Sequence, residues 1–396
     1  MRRLKFILPF AAAALTLAVV AAASARPAHQ VAAAKSQVVN CHGKLKIAMP
    51  TPLTGGAGFL GNEQLSWAKY AVKTLAPKYG LKITLVTGDT PVEQGAAPAQ
   101  TLAQKFVADK AVVAVIGPST SGAVAASSKT YQAAGLAHIS ESATRTSLTK
   151  GASKEATSAF FRVVPGDYIQ GPTDANFMIK QGAKNVVLFD FQEPYSQGLA
   201  DAAELVLKAK GVSTSRQSVS NTTTDFSSFV TKVPGDADFV FFPTQKPGDA
   251  QNFAQQLLEQ GKKAKVFGGD GSNDASQFKV PGSYVSNFAP DISGIPADKA
   301  IIAGWKKDNP KSQLGSFGPP TYLATQVALA AIKKACVAGK GQMKERRDVV
   351  RNVKKVVIPN SILGGTFRFS TKSNDPLNAK FYIFQIQSNG SYKLVG

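Results

Sequence analysis

The sequence predicts an α/β protein built as two parallel-sheet lobes with a ligand cleft between them, and three observations carry that prediction. Strand-like and helix-like segments alternate from residue 45 onward. Such alternation builds right-handed crossovers and parallel sheets. The alternation breaks at Val164-Pro165-Gly166-Asp167 and then restarts over a second stretch of similar length. At 396 residues the chain also exceeds one ordinary domain and suits two or three.

The elements follow from hydrophobic periodicity, taken in order. Leu45 to Ala48 reads as a strand, Glu63 to Leu75 as a helix, Leu81 to Val86 as a strand and Ala99 to Ala108 as a helix. Val112 to Ile116 is a short apolar strand, followed by a helix from Ala123 to Ala134 and a strand at Leu136 to Ile139. After the break come strands at Phe160 to Val164, Asn185 to Phe189, Arg216 to Val219, Phe239 to Phe242 and Lys265 to Phe267. Helices at Gln170 to Gln181, Gln197 to Lys210, Phe226 to Lys232 and Ala250 to Gln260 lie between them. The tail reads as helices Ala297 to Lys307, Thr321 to Val337 and Glu345 to Lys355, then a hairpin of Gly365 to Phe369 with Phe381 to Gln387, and a turn at Asn389-Gly390. Ligands of open α/β sheets collect outside the carboxyl ends of the strands, so two facing lobes make a cleft.

Composition narrows the function classes. Hydrophobic residues make up 44% of the chain, which excludes whole-chain disorder and collagen-like or disulfide-scaffold architectures. The net charge of +21, from 46 Lys+Arg against 25 Asp+Glu, keeps a polyanion-binding reading open until the charge is located. Residues 1 to 25 carry a secretory signature: Arg2, Arg3 and Lys5, an apolar run from Phe6 to Val20, and the small-x-small site Ala23-Ser24-Ala25. A retained anchor is the alternative, because the apolar run nearly spans a bilayer. Cys41 lacks the small preceding residue that lipid attachment requires, since Val38-Val39-Asn40 stands there. A polar lead-in, residues 26–43, precedes the first strand. Cleavage after Ala25 leaves 43 Lys+Arg against 25 Asp+Glu, a net +18, on a protein expected in the periplasm or on the outer face of the cell membrane.

In an oxidising compartment Cys41 and Cys336, the only cysteines, read as a disulfide rather than two free thiols, worth on the order of 5 kcal/mol in the chain-entropy model. The three histidines, His29, His42 and His138, have no metal-ligand spacing with either cysteine. No cofactor or metal is expected.

Two enzyme readings fail on detail. Gly56-Ala57-Gly58-Phe59-Leu60-Gly61 matches a dinucleotide fingerprint, but Pro50-Thr51-Pro52-Leu53-Thr54 separates it from its strand, and a secreted protein has little access to nicotinamide cofactors. His138-Ile139-Ser140 lacks an orienting acid, and Gly117-Pro118-Ser119-Thr120-Ser121-Gly122 has the wrong spacing for a nucleophile elbow. The latter stretch is better read as a strand end and a hydroxyl-rich turn opening a helix, where free N–H groups suit a carboxylate or phosphate. A serine-capped helix start with no ligand fits the same residues. The next strand ends similarly in Ser140-Glu141-Ser142-Ala143-Thr144.

Taken together these blocks resemble the leucine/isoleucine/valine-binding proteins, type I periplasmic solute-binding proteins of ABC importers. The resemblance runs through Lys46-Ile47-Ala48 with Pro52-Leu53-Thr54-Gly55, Val115-Ile116-Gly117-Pro118 to Tyr131, Ser142-Ala143-Thr144 and Phe161-Arg162. It continues with Gln170-Gly171-Pro172, Tyr195, Gly198, Asp225-Phe226-Ser227, Asp238-Phe239-Val240 and Gly365-x-Phe367-x-Phe369. The resemblance implies a non-enzymatic receptor that closes on a small amino-acid-like ligand and delivers it to a permease, as a monomer. Ser121 and Thr144 would hold the ligand carboxylate, and the Ser142 carbonyl and Asp270 its ammonium. Tyr195 and Phe317 match aromatic pocket positions. Gln245 replaces a tyrosine of the leucine binders and Leu60 another aromatic, so a different small amide or carboxylate is the alternative ligand.

The implied fold joins the lobes by three crossings, with lobe 1 at 44–163 plus 290–357 and lobe 2 at 164–289 plus 358–396. Cys336 then returns to the lobe that begins after Cys41. Residues 301–396 hold 16 Lys+Arg against 4 Asp+Glu, much of it at Lys344, Arg346, Arg347, Arg351, Lys354 and Lys355. The charge therefore marks an outer surface facing anionic lipid, wall polymer or a permease, and no nucleic acid is expected as a partner.

Overall fold

The computed structural model describes residues 38–396, so the expected signal sequence and most of the lead-in lie outside the described residues. A two-residue strand, β1 (Val39–Asn40), precedes the first lobe. That lobe runs β2 (Leu45–Thr51), α1 (Gly58–Leu75), β3 (Ile83–Asp89), α2 (Ala97–Ala108), β4 (Val112–Ile116), α3 (Ser121–Ala133), β5 (Ala137–Ser140) and β6 (Phe160–Arg162). Its five strands lie in the order β3-β2-β4-β5-β6, all parallel.

β4 shows why a continuous apolar run marks a central parallel strand. Val112 and Val115 pack with Phe106 and Tyr131 on one face, whereas Val113, Ala114 and Ile116 join the larger core on the other. A strand covered by helices on both faces has no position for a polar side chain.

The second lobe adds α4 (Asp167–Lys180), β7 (Asn185–Asp190), α5 (Pro194–Ala209), β8 (Ser213–Ser218), α6 (Ser227–Thr231), β9 (Phe239–Phe241), α7 (Pro247–Glu259), β10 (Lys265–Gly268) and β11 (Tyr284–Asn287). Along β7 the side chains alternate, Val186 and Leu188 into the core beside Ala175 and Leu199, Val187 and Phe189 into the core beside Phe226 and Phe253. The period of two fixes the register, since a slip by one residue would exchange the faces.

The tail completes both lobes through α8 (Lys299–Asp308), α9 (Gly318–Ala338), β12 (Gln342–Met343), α10 (Arg347–Val353), β13 (Val357–Ile358), β14 (Phe367–Arg368), β15 (Tyr382–Ile386) and β16 (Tyr392–Leu394). α9 returns to the first lobe, where its buried side chains meet Trp67, which stacks on Trp305 at 4.7 Å. β12 pairs with β1, and the Sγ atoms of Cys41 and Cys336 are bonded beside that pair, with their Cα atoms 5.9 Å apart.

One tail expectation is corrected. Gly365 to Phe369 and Phe381 to Gln387 do not form one hairpin: β14 pairs antiparallel with β13, and β15 pairs with β11 and β16. Periodicity reports that a segment is extended but carries no information about its partner. The second sheet thus has seven strands, β16-β15-β11-β10-β9-β7-β8, of which β15 and β16 run antiparallel. Ile358, Ile362, Phe367, Phe369 and Phe381 pack in the same core as α1 and α9.

Candidate ligand-binding site

Loops that leave the carboxyl ends of β2, β4, β5, β7, β9 and β10 carry residues to one place, as expected of ligand sites in open α/β sheets. Three such loops from the first lobe meet three from the second around one small cavity. From the first lobe come Leu60 on the opening turn of α1, Ser119 and Ser121 after β4, Ser142 after β5, and Phe317 just before α9. From the second come Tyr195 on the first turn of α5, Gln245 before α7, and Asp270 with Gly271 after β10.

The first-lobe wall is a donor surface. Thr120 caps α3, its Oγ1 accepting from Ala123 N at 3.4 Å, and the first intrahelical bond runs from Val124 N to Thr120 O. The N–H groups of Ser121 and Gly122 precede that bond and have no intrahelical acceptor. Ser142 Oγ donates to Ser119 O at 2.6 Å and accepts from Gln64 Nε2 at 2.8 Å, which holds the two strand ends together. Ser119 Oγ donates to Glu141, a fully buried carboxylate pushed up to about 7 by desolvation.

The second-lobe wall carries the acid. Tyr195 donates its hydroxyl hydrogen to Asp270 Oδ1 at 2.9 Å, and Gly271 N donates to the Tyr195 oxygen at 3.1 Å. Burial pushes Asp270 up to about 6, against which the Tyr195 hydrogen bond pulls down. Glu193 fixes the start of α5, accepting from Ser196 N at 2.7 Å and Tyr195 N at 2.9 Å, and so aims Tyr195 at Asp270.

The lobes touch at several points, so the cleft is shut. Arg145 Nη1 donates to Pro194 O across the gap, and Asn221 Nδ2 donates to Val92 O at 3.0 Å. Gly56 lies against the Lys246 stem, where an added Cβ would sit 2.5 Å from Cδ.

Seven of the eight expected ligand residues line this cavity, and Thr144 does not. Thr144 is buried one layer back, its carbonyl accepting from Arg162 Nη1 at 2.7 Å and Asp167 N at 2.8 Å. The chain turns sharply after Ser142 because Arg162 collects the Ala143, Thr144 and Arg145 carbonyls together. Sequence reasoning assigned no ligand role to Ser119 or Gly271; their adjacency to the assigned Ser121 and Asp270 was the available signal. The flanking charges turn away: Glu141 is buried behind Ser119, and Arg145 pairs with Glu155 at 3.0 Å.

The set-aside motifs have structural explanations. His138 is buried, within 2.7 Å of Ser128 Oγ and 3.2 Å of Leu136 O, and desolvation holds its ring down at about 4. In the glycine-rich loop, Gly61 is there for packing: a Cβ would lie 1.7 Å from Pro52 O. Among the described residues no cluster of His, Cys, Asp and Glu could hold a metal ion.

Comparison with known proteins agrees with this geometry. The periplasmic binding protein family model matches residues 44–391. An amino acid binding protein of Pseudomonas aeruginosa is 27% identical over 74% of this chain and 78% of its own length. A Leu/Ile/Val-binding protein homolog of Brucella suis is 25% identical over 88% of this chain and 92% of its own. Among solved structures, the leucine-binding protein LivK of Thermotoga maritima superposes with a TM-score of 0.78 at 21% identity, covering 89% of this chain and 98% of that one. A benzoate-bound solute-binding protein of R. palustris has the same fold, with a TM-score of 0.77 at 18% identity over 89% and 96% of the two chains. With two α/β lobes shut on a small polar cavity and a family match across nearly all the described residues, the chain belongs to the periplasmic binding protein family, in company with Leu/Ile/Val-binding proteins.

Proposed function

We propose that the protein binds a small amino acid by cleft closure and delivers it to an ABC permease outside the cytoplasm. The observation that carries this reading is the division of labour across one cavity. Helix-start N–H groups and the Ser121 hydroxyl stand on one wall, and the Asp270 carboxylate stands on the other. A zwitterion needs both, and it meets both only when the lobes are shut, so binding shifts the population toward the closed form. A buried carboxylate costs free energy until an ammonium faces it, and the enclosed site strengthens that pair by excluding water.

Gln245 and Leu60 beside Phe317 make the side-chain pocket mixed rather than purely aliphatic. Calorimetry with the twenty amino acids, small amides and small carboxylates tests the reading. At least one α-amino acid should bind, and Asp270→Asn should weaken it about 10- to 150-fold, the worth of a hydrogen bond to a charged group. Tight binding of a carboxylate lacking an amine, unchanged in Asp270→Asn, would overturn the amino-acid assignment.

A further inference from the structure

The positive charge of this protein belongs almost wholly to one lobe. By core and sheet membership the first lobe comprises residues 38–163 and 290–381, with 29 Lys+Arg against 12 Asp+Glu, a net +17. The second comprises 164–289 and 382–396, with 12 against 13, a net −1. Within the first lobe many of these cations gather at the edge where the strands begin. Lys44 and Lys82 immediately precede β2 and β3, which pair as Leu45 with Ile83, and Lys110 lies just before β4. Lys78, Lys340 and Lys344 sit on the adjoining helix ends and turns, and all six are exposed. Acids there are already engaged: Asp109 pairs with Lys46 at 2.8 Å, and Glu345 with Arg351 at 2.6 Å.

This pole lies opposite the cleft. The cavity residues follow the carboxyl ends of the same strands, and the 7 residues of β2 separate the two edges by roughly 20 Å. The described chain also begins here, since β1 pairs with β12 and Cys41 is bonded to Cys336. Val38 and Val337, 57% and 63% exposed, put apolar side chains among the lysines.

We propose that the strand-start pole of the first lobe is a docking surface for an anionic lipid bilayer. Juxtaposed lysines gain attraction from anionic headgroups within a screening length of the surface. Exposed valines suit the interfacial layer, which favours a bilayer over a soluble polyanion. In this posture the cleft faces away from the membrane and the ligand site is untouched.

The test is co-sedimentation of the full chain with phosphatidylglycerol-containing and pure phosphatidylcholine vesicles. Two quadruple variants of equal charge change are compared, Lys44→Glu/Lys82→Glu/Lys110→Glu/Lys344→Glu at the pole and Lys180→Glu/Lys210→Glu/Lys232→Glu/Lys263→Glu on the second lobe. The readout is the ratio of anionic to neutral partitioning. That ratio should exceed one for the unaltered chain, fall toward one at 1 M salt, and fall more than a hundredfold in the pole variant, from about fivefold per charge. The second-lobe variant should keep it, and all three proteins should melt alike. Equal loss in both variants, a ratio of one in the unaltered chain, or binding to inorganic polyphosphate without binding to the anionic vesicles would overturn the proposal.

Discussion

Arg162 shows how one buried residue positions a site it never touches. Its Nε donates to Asp375 Oδ1 at 2.7 Å, its Nη2 to Thr149 Oγ1 at 2.6 Å, and its Nη1 to the carbonyls that follow Ser142. Both charges are almost completely buried. A buried ion pair is a poor source of net stability, but removal of one partner strands the other charge. Asp375→Ala should therefore cost about 3–5 kcal/mol in urea denaturation. It should also weaken ligand binding although Asp375 lies outside the cavity, because the Ser142 turn loses its clamp. A loss under 1 kcal/mol would mean that the guanidinium finds water or another acceptor. The pair Phe161-Arg162 stood out in the sequence, but Asp375 did not. A partner 213 residues away leaves no local trace.

At the scale of elements, the glycine-rich loop separates a packing role from a phosphate-binding one. The backbone of α1 passes so close to the β2 exit that Gly61 has no room for a Cβ beside Pro52 O. Gly61→Ala should cost about 1–3 kcal/mol by overpacking. Gly235→Ala, at a glycine with nothing within 4 Å, should stay within about 0.5 kcal/mol. Equal midpoints in chemical denaturation would remove the packing explanation. The same contrast explains what was legible. Val112–Ile116 is a strand in both readings because an uninterrupted apolar run leaves one solution. β11 escaped sequence reading because Tyr-Val-Ser-Asn is short and flanked by turn residues, and it is a strand through its neighbours β10 and β15. Most of the cavity lining was legible because strand ends carry it, whereas the bonds behind it left no local trace: Gln64 within α1 reaches Ser142 across 78 residues, and Ser119 reaches Glu141 across 22.

At the scale of the whole molecule, the fold buries carboxylates that water would otherwise solvate. Burial pushes Asp270 to about 6, Glu141 and Glu193 to about 7, and Asp167 to about 8, the last also by the Asp270 charge. All stand above the ordinary carboxylate range near 4. Between their unfolded and folded values the closed form binds more protons than the unfolded chain, so stability falls as pH rises. The loss begins above about pH 4 and is complete above about pH 8. Surface carboxylates have finished titrating by pH 5.5, and from there to pH 8 the buried carboxylates are opposed only by His138, whose ring is held down at about 4 against 6.5 in the unfolded chain, one group against four. The ligand-free protein should thus melt at a lower temperature at pH 8 than at pH 5.5, by about 2–4 °C per kcal/mol lost. Amino-acid affinity should move the other way, rising through about pH 6 as Asp270 ionises to face the ammonium, and this rise should vanish in Asp270→Asn. Scanning fluorimetry and calorimetry across that window check both signs. A melting temperature that rises with pH in the absence of ligand would show that the free protein does not hold these carboxylates buried.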